Sequence, residues 1–191
     1  MGLVLAAKRL LHEQGFRRTS LADVASAAGV PLGNVYYYFR TKDALAEAVI
    51  AAHESALREH FSSWEASYPD ARQRLRRLVR SPLDASEGLV RFGCPHGSLC
   101  QKLEKLGPDA PLAKAAARLL AVYIDWARAQ LRAAGVPPHR ARTLAASTVA
   151  AIQGAMLVAH TLRSESPLAE QLDHVERWLD SSISTHSRRV H

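Results

Sequence analysis

Ser20 to Phe39 reads SLADVASAAGVPLGNVYYYF, and the placing of its small and apolar residues decides the fold. Ser20 stands just before the periodic apolar positions Leu21, Val24, Ala25 and Ala28, as a hydrogen-bonding residue does where a helix starts. Gly29 follows the last of them, where a tight turn calls for a positive φ that a residue with a Cβ adopts only at a cost. Pro31 suits the first turn of a second short helix, because its missing N–H has no intrahelical partner there, and that helix runs through Val35 to Tyr38. Ala25 is small where the second helix must cross it, and Val24, Val30 and Val35 supply a small core that sets the angle between the two. This is the spacing of a helix-turn-helix.

Outward from this stretch, helices continue in both directions. Leu3, Ala6, Ala7, Leu10 and Leu11 give a helix over about residues 2–14, ended by Gly15 and Phe16. After Phe39, a longer helix begins at Thr41 and Lys42, with Leu45, Ala48, Val49, Ala52, Ala56 and Leu57 on its apolar side. Pro69 and Asp70 open another, with Leu75, Leu78 and Val79 inward and Arg72, Arg76 and Arg80 on a second face. Leu83 to Gly93 is less regular; Pro95 then starts a short helix that Gly107 and Pro108 stop. Long helices follow over about 110–134, 138–162 and 167–184, separated by Gly135, Pro137 and Pro138 and by Ser164 to Pro167. The expectation is an all-α chain of about nine helices: a three-helix reader over 1–47 and a helical body over 48–191.

The formal charge of +7 and pI near 9.8 suit a polyanionic partner but do not single one out. Within the first 58 residues, Lys8, Arg9, Arg17, Arg18, Arg40, Lys42 and Arg58 stand against Glu13, Asp23, Asp43, Glu47 and Glu54, so the excess is not concentrated in the reader. Two cysteines, Cys94 and Cys100, make no disulfide framework, and the N-terminal stretch has no apolar run backed by a cleavage site. The longest mostly apolar stretch, 144–159, is interrupted by Ser147, Thr148, Gln153 and Gly154 and falls short of a membrane span. A cytoplasmic protein is expected. No nucleophile with a base, glycine-rich phosphate loop or paired carboxylates argues for an enzyme, and no cofactor or metal is expected.

The run Gly15 to Leu45, GFRRTSLADVASAAGVPLGNVYYYFRTKDAL, resembles the N-terminal DNA reader of the TetR family of bacterial regulators, over about residues 3–50. Phe92 to Leu99, FGCPHGSL, resembles a subgroup in which a Gly-Cys-Pro turn starts the sixth helix. The resemblance implies a transcription regulator, most simply a repressor released from its operator by a small molecule. A helix-turn-helix lays its second helix in the major groove with that helix's N-terminal side chains at base edges, which assigns Leu32, Gly33 and Asn34 to that role. Asn34 matches adenine, Leu32 a thymine methyl, and Gly33 allows close approach. Thr19, Ser20, Tyr36, Tyr37 and Lys42 are candidates for phosphate contacts, with Tyr38 and Phe39 assigned to packing. Family members often carry a basic arm before the first helix; here either the start lies upstream of Met1 or the helix-turn-helix works without one.

One reader makes too few contacts for selective binding, so a homodimer on a pseudo-palindromic operator is expected. The family's interface uses the last two helices, which assigns Leu144, Thr148, Ala151, Ala155, Leu168, Leu172, Val175 and Leu179 to it. Phe92, His96, Leu99, Leu103, Tyr123, Trp126, Gln153 and Met156 are candidates to line an effector pocket, although helical spacing alone would also make them core. Cys94, His96 and Cys100 invite a redox- or metal-responsive alternative, against which a thiol beside a proline turn is commonly a buried small hydrophobe. A ligand-independent DNA-binding protein is the other alternative.

Overall fold

The computed structural model describes residues 2–107 and 109–187; Met1, the helix stop expected at Pro108 and positions 188–191 lie outside the described residues. Ten α-helices occur among the described residues: α1 (Gly2–Glu13), α2 (Leu21–Ala28), α3 (Leu32–Tyr38), α4 (Lys42–Ser67), α5 (Ala71–Arg80), α6 (Ser86–Phe92), α7 (Pro95–Glu104), α8 (Pro111–Ala133), α9 (Pro138–Leu162) and α10 (Ser166–Ser187). A 3-10 turn, Ser81–Ala85, joins α5 to α6, and no strand occurs among the described residues. The chain is all-α. The helix that apolar spacing does not reveal is α6, seven residues long with Leu89 as its buried residue, too short to show a period.

Two compact units divide the chain: residues 1–57 with 95–119, and residues 58–94 with 120–191. In the first, Ala6, Ala7, Leu10 and Leu11 of α1 join Phe16, Val24, Leu45, Val49 and Ile50 in one buried cluster. Leu99 and Leu103 of α7 and Leu112, Ala116 and Leu119 of α8 belong to that same cluster. Leu99 and Leu103 are therefore buried core residues of the first unit, with the reader.

In the second unit α10 packs on α9 and on α5, while α6 packs on α9. Leu168, Leu172, Val175, Leu179 and Ile183 form the buried stripe of α10. Leu144, Thr148, Val149, Ile152, Ala155 and Met156 lie on the buried side of α9, where the Thr148 hydroxyl donates to the Leu144 carbonyl at 2.8 Å. α9 extends beyond 144–159 and, with an 18-residue stretch of mean hydropathy 1.3, is long and apolar enough to cross a membrane by length and composition; 44% of that stretch is buried inside the protein.

The arginine face of α5 is zipped onto the acidic side of α10. Arg72 Nη1 donates to Ser184 Oγ at 3.1 Å and Arg76 Nη2 to Asp180 Oδ2 at 2.8 Å. Arg80 pairs with Asp173 through Nη2 at 2.9 Å and with Glu176 through Nε. Steps of four residues on both helices keep the partners in register, so this face holds α5 in place through exposed pairs worth about 0.2–1 kcal/mol each.

His53 of α4 and His96 of α7 meet inside the first unit, His96 Nε2 lying 3.1 Å from His53 Nδ1 with the rings edge-on. His96 thus belongs to the first unit, with the reader. Burial is the main reason both rings stay neutral: it pushes His53 down to about 3 and His96 down to about 4, with Lys8 and His12 adding repulsion at both and His96 at His53. The unfolded chain takes up these protons near the ordinary 6.5, whereas the folded chain resists until the depressed values are reached. Stability is therefore full above about pH 6.5 and declines as pH falls toward about 4. Urea denaturation should show a loss of roughly 1 kcal/mol or more across that interval, and His96→Gln should flatten the slope. A wild-type midpoint constant from pH 6.5 to 4 would overturn this account of the pair.

Candidate DNA interface

The geometry of α2 and α3 follows from one cap at each end of α2. Ser20 accepts the Asp23 N–H at 3.1 Å, while Asp23 Oδ2 accepts the Ser20 N–H at 2.7 Å, closing a capping box. The Ser20 hydroxyl, donating to the same carboxylate oxygen, and then the Ser20 N–H hold Asp23 below the ordinary carboxylate range. At the other end Gly29 takes φ 66° and ψ 33°. Its N–H donates to Ser26 O at 3.1 Å and that of Val30 to Ala25 O at 3.0 Å. A Cβ on Gly29 would meet nothing within 4 Å, so glycine is required by the left-handed backbone rather than by space.

α3 buries only Val35. Val24 and Ala25 are buried with it while Val30 is half-buried, so the small core of the motif is built as its spacing predicts. Leu32, Gly33 and Asn34 are all exposed at the start of α3, and a Cβ on Gly33 would meet nothing within 4 Å. Tyr36 and Tyr37 are exposed as well, Tyr37 at 81%. Tyr38 corrects the expectation of packing: it is 68% exposed, with its ring edge-on to Tyr37 at 5.0 Å. Val35 and half-buried Phe39, four residues apart, occupy the inward side, and Tyr36 to Tyr38 fall outside it.

Three expected phosphate donors are committed to the fold. Thr19 is 2% exposed, and its hydroxyl donates to the Gly15 carbonyl at 3.0 Å, with Leu10 O at 3.4 Å, so it serves the α1–α2 turn. Ser20 is exposed, but its hydroxyl proton goes to Asp23. Lys42 is half-buried, its Nζ donating to Phe16 O at 3.0 Å and lying 4.5 Å from the centre of the Phe16 ring, so it braces the α1–α2 turn. Sequence reading passes over Arg17, Arg18 and Arg40, which are exposed beside the motif. The available signal was two adjacent arginines directly before a helix cap.

The remaining candidates separate. Phe92, Tyr123, Trp126, Gln153 and Met156 belong to the second unit. There Gln153 Nε2 donates to Cys94 Sγ at 3.6 Å, and burial, with Cys94 adding, raises the Tyr123 phenol above its ordinary value. Cys100, in the first unit, donates its thiol proton to Ala116 O at 3.1 Å. Among the described residues no group of three or more His, Cys, Asp or Glu is arranged to hold a metal. Leu144, Thr148, Ala155, Leu168, Leu172, Val175 and Leu179 are buried inside a single chain and Ala151 is half-buried, so the stripes expected at a dimer interface serve the chain's own packing. The unpartnered side of α9 carries exposed Ala146, Ala150, Gly154, Leu157, Val158 and Leu162.

Comparison with known proteins agrees with this geometry. Residues 3–49 match the family model for bacterial regulatory proteins of the tetR family, and residues 69–174 match that for the C-terminal domain of LmrA/YxaF-like transcriptional regulators. An uncharacterised HTH-type transcriptional regulator of Mycobacterium tuberculosis (strain ATCC 25618 / H37Rv) is 30% identical over 175 residues, covering 87% of this chain and 86% of the relative. The HTH-type transcriptional repressor NemR of Escherichia coli (strain K12) is 28% identical over 189 residues, covering 91% and 90%. Among solved structures, a TetR transcriptional regulator from Legionella pneumophila superposes with a TM-score of 0.79 at 19% identity, over 95% of each chain. The reduced form of E. coli NemR superposes with a TM-score of 0.75 at 24% identity, over 92% of this chain and 94% of that one.

Thr19→Val keeps the shape of the side chain but removes the hydroxyl donor to the Gly15 carbonyl, while Leu10 O keeps the Gln14 N–H at 2.9 Å. It should lower unfolding stability by about 1–2 kcal/mol. The salt dependence of DNA binding should not change; a salt slope shallower by about one would instead make Thr19 a phosphate contact.

Proposed function

Since the chain belongs to the tetR family of bacterial regulatory proteins, we propose that it is a cytoplasmic homodimeric repressor, released from a pseudo-palindromic operator by a small-molecule effector. The observation that carries the reading is the start of α3, where Leu32, Gly33 and Asn34 stand exposed while Val35 alone anchors the helix. In this reading residues 1–47 are the DNA-binding domain and 48–191 the effector and dimerisation domain. Asn34 reads an adenine edge, Leu32 contacts a thymine methyl, and Gly33 admits the groove floor. Tyr36, Tyr37 and Tyr38, with Arg17, Arg18 and Arg40, hold phosphates, and Lys42 fixes the turn from which the arginines project.

Dimerisation falls to the exposed side of α9. Small residues at 146, 150 and 154 allow a second helix close approach, and Leu157, Val158 and Leu162, the first and last at 54% and 62% exposure, need cover. The similarity to the transcriptional repressor NemR supports repression. Phe92, Tyr123, Trp126, Gln153 and Met156, all of the second unit, are the candidates for the effector site, with Gln153 and Tyr123 both meeting Cys94.

Binding of selected genomic fragments tests the reader. Asn34→Ala should cost about 1–3 kcal/mol on the operator and relax selection at one base pair, leaving random DNA little affected. Gly33→Ala should leave the free protein as stable or slightly more so, because Ala favours a helix by up to about 1 kcal/mol over Gly, yet weaken operator binding. Equal losses on operator and random DNA for Asn34→Ala would remove it as a base reader. Leu157→Glu should give a monomer in sedimentation equilibrium and abolish cooperative operator binding; an intact dimer would overturn the α9 interface.

A further inference from the structure

The chain's positive charge is concentrated outside the reader. Trp126 to Ser164 contains no Asp or Glu, and its arginines, Arg128, Arg132, Arg140, Arg142 and Arg163, carry most of the formal charge of +7. Arg132 stands in the last turn of α8, with Arg140 and Arg142 at the start of α9, so all three flank one turn. Helix stability accounts for the first, because a cation suits a helix C-terminus. It works against the others. The first turn of α9 has no acid, its cap Pro137 supplies no side-chain bond, and His139 and Arg140 stand at the positive end of the helix dipole. Arg132, His139 and Arg142 are exposed, and neither Arg132 nor Arg142 enters an ion pair among the described residues.

The start of α5 adds to this charge. Arg76, Arg77 and Arg80 are matched by Asp180, Asp84 and Glu176. Arg72 and Arg74 instead bond neutral oxygens: Arg72 donates to Ser184 Oγ, and Arg74 to the Tyr68 and Pro69 carbonyls and, at 2.8 Å, to Gln130 Oε1. The Gln130 bond ties the start of α5 to the last turn of α8, so these arginines belong to the same end of the second unit. Glu65 accepts from Gln130, Asp70 caps α5 and Asp125 pairs with Arg128; these carboxylates leave Arg72, Arg74, Arg132, Arg140 and Arg142 in excess. Among the described residues no exposed large apolar side chain lies on α8, or on α9 before Leu157. The surface therefore lacks the anchors by which protein partners and bilayers are held. Guanidiniums without such anchors suit phosphate oxygens. We propose that the α8–α9 turn, with the start of α5, is a second DNA contact, holding backbone phosphates without regard to sequence and outside the helix-turn-helix. It does not depend on the operator reading above.

Photocrosslinking of the full chain tests it, with p-benzoylphenylalanine in place of exposed Ala133 and a labelled duplex of random sequence at low salt. The duplex should be captured at this position, and capture should fall steeply as salt is raised. Combining Arg132→Gln with Arg142→Gln should lower capture by about tenfold. Arg132→Lys with Arg142→Lys, which keeps the charge, should retain most of it. Failure to capture the duplex, or capture undiminished by the paired Gln substitutions, would overturn the proposal. Competition by phosphatidylglycerol vesicles or by poly-glutamate that exceeds competition by unlabelled duplex would overturn it too, in favour of a membrane surface or an acidic protein. Each of these results leaves the operator reading intact, because Asn34→Ala tests that reading separately.

Discussion

One backbone torsion governs the reader. At Gly29 the chain takes φ 66°, the last carbonyls of α2 find their donors in Gly29 and Val30, and α3 leaves at the angle set by Val24, Ala25 and Val35. A residue with a Cβ would be strained there although there is room for it. The direction of α3, and so the side chains it presents, depends on this turn more than on any property of α3, whose seven residues contribute one buried side chain.

The turn before α2 is secured from elsewhere in the chain. Lys42 reaches the Phe16 carbonyl, and Lys102 of α7 points its amine at His12 O, 3.5 Å away, with its methylenes against Gly15, where a Cβ would lie 3.2 Å from Lys102 Cδ. Burial lowers the Lys102 amine below its ordinary value. Residues 95–119 thus belong physically with the reader despite following it by some fifty positions in sequence. The neutral His53–His96 pair sits in the same unit, linking α4 to α7.

What could be read from sequence was whatever depends on short-range period. The helix-turn-helix was legible because Ala25, Gly29, Pro31 and Val35 each answer a local steric demand. The inward stripe of α10 was legible too, but a stripe says only that a face is covered, never by what: Leu168 to Leu179 meet their own chain. Thr19, Ser20 and Lys42 bond within the chain for a related reason, since a donor near DNA in sequence is equally near a helix end that needs capping. That His96, Leu99 and Leu103 join the first unit is legible nowhere in the sequence, because nothing local tells that α7 returns to the reader. Tyr38 reads as packing by its chemistry, and only the angle of α3 turns it outward.

A helix that buries a single valine has an evolutionary consequence. Residues 32 to 34 and 36 to 38 are exposed where Val35 is buried, so mutation there is screened more by what the protein recognises than by whether it folds. Sister regulators arising by gene duplication could drift to new target sequences through these six positions, with Gly29 and Val35 held constant. The scaffold inherits; the recognition surface is free to diverge.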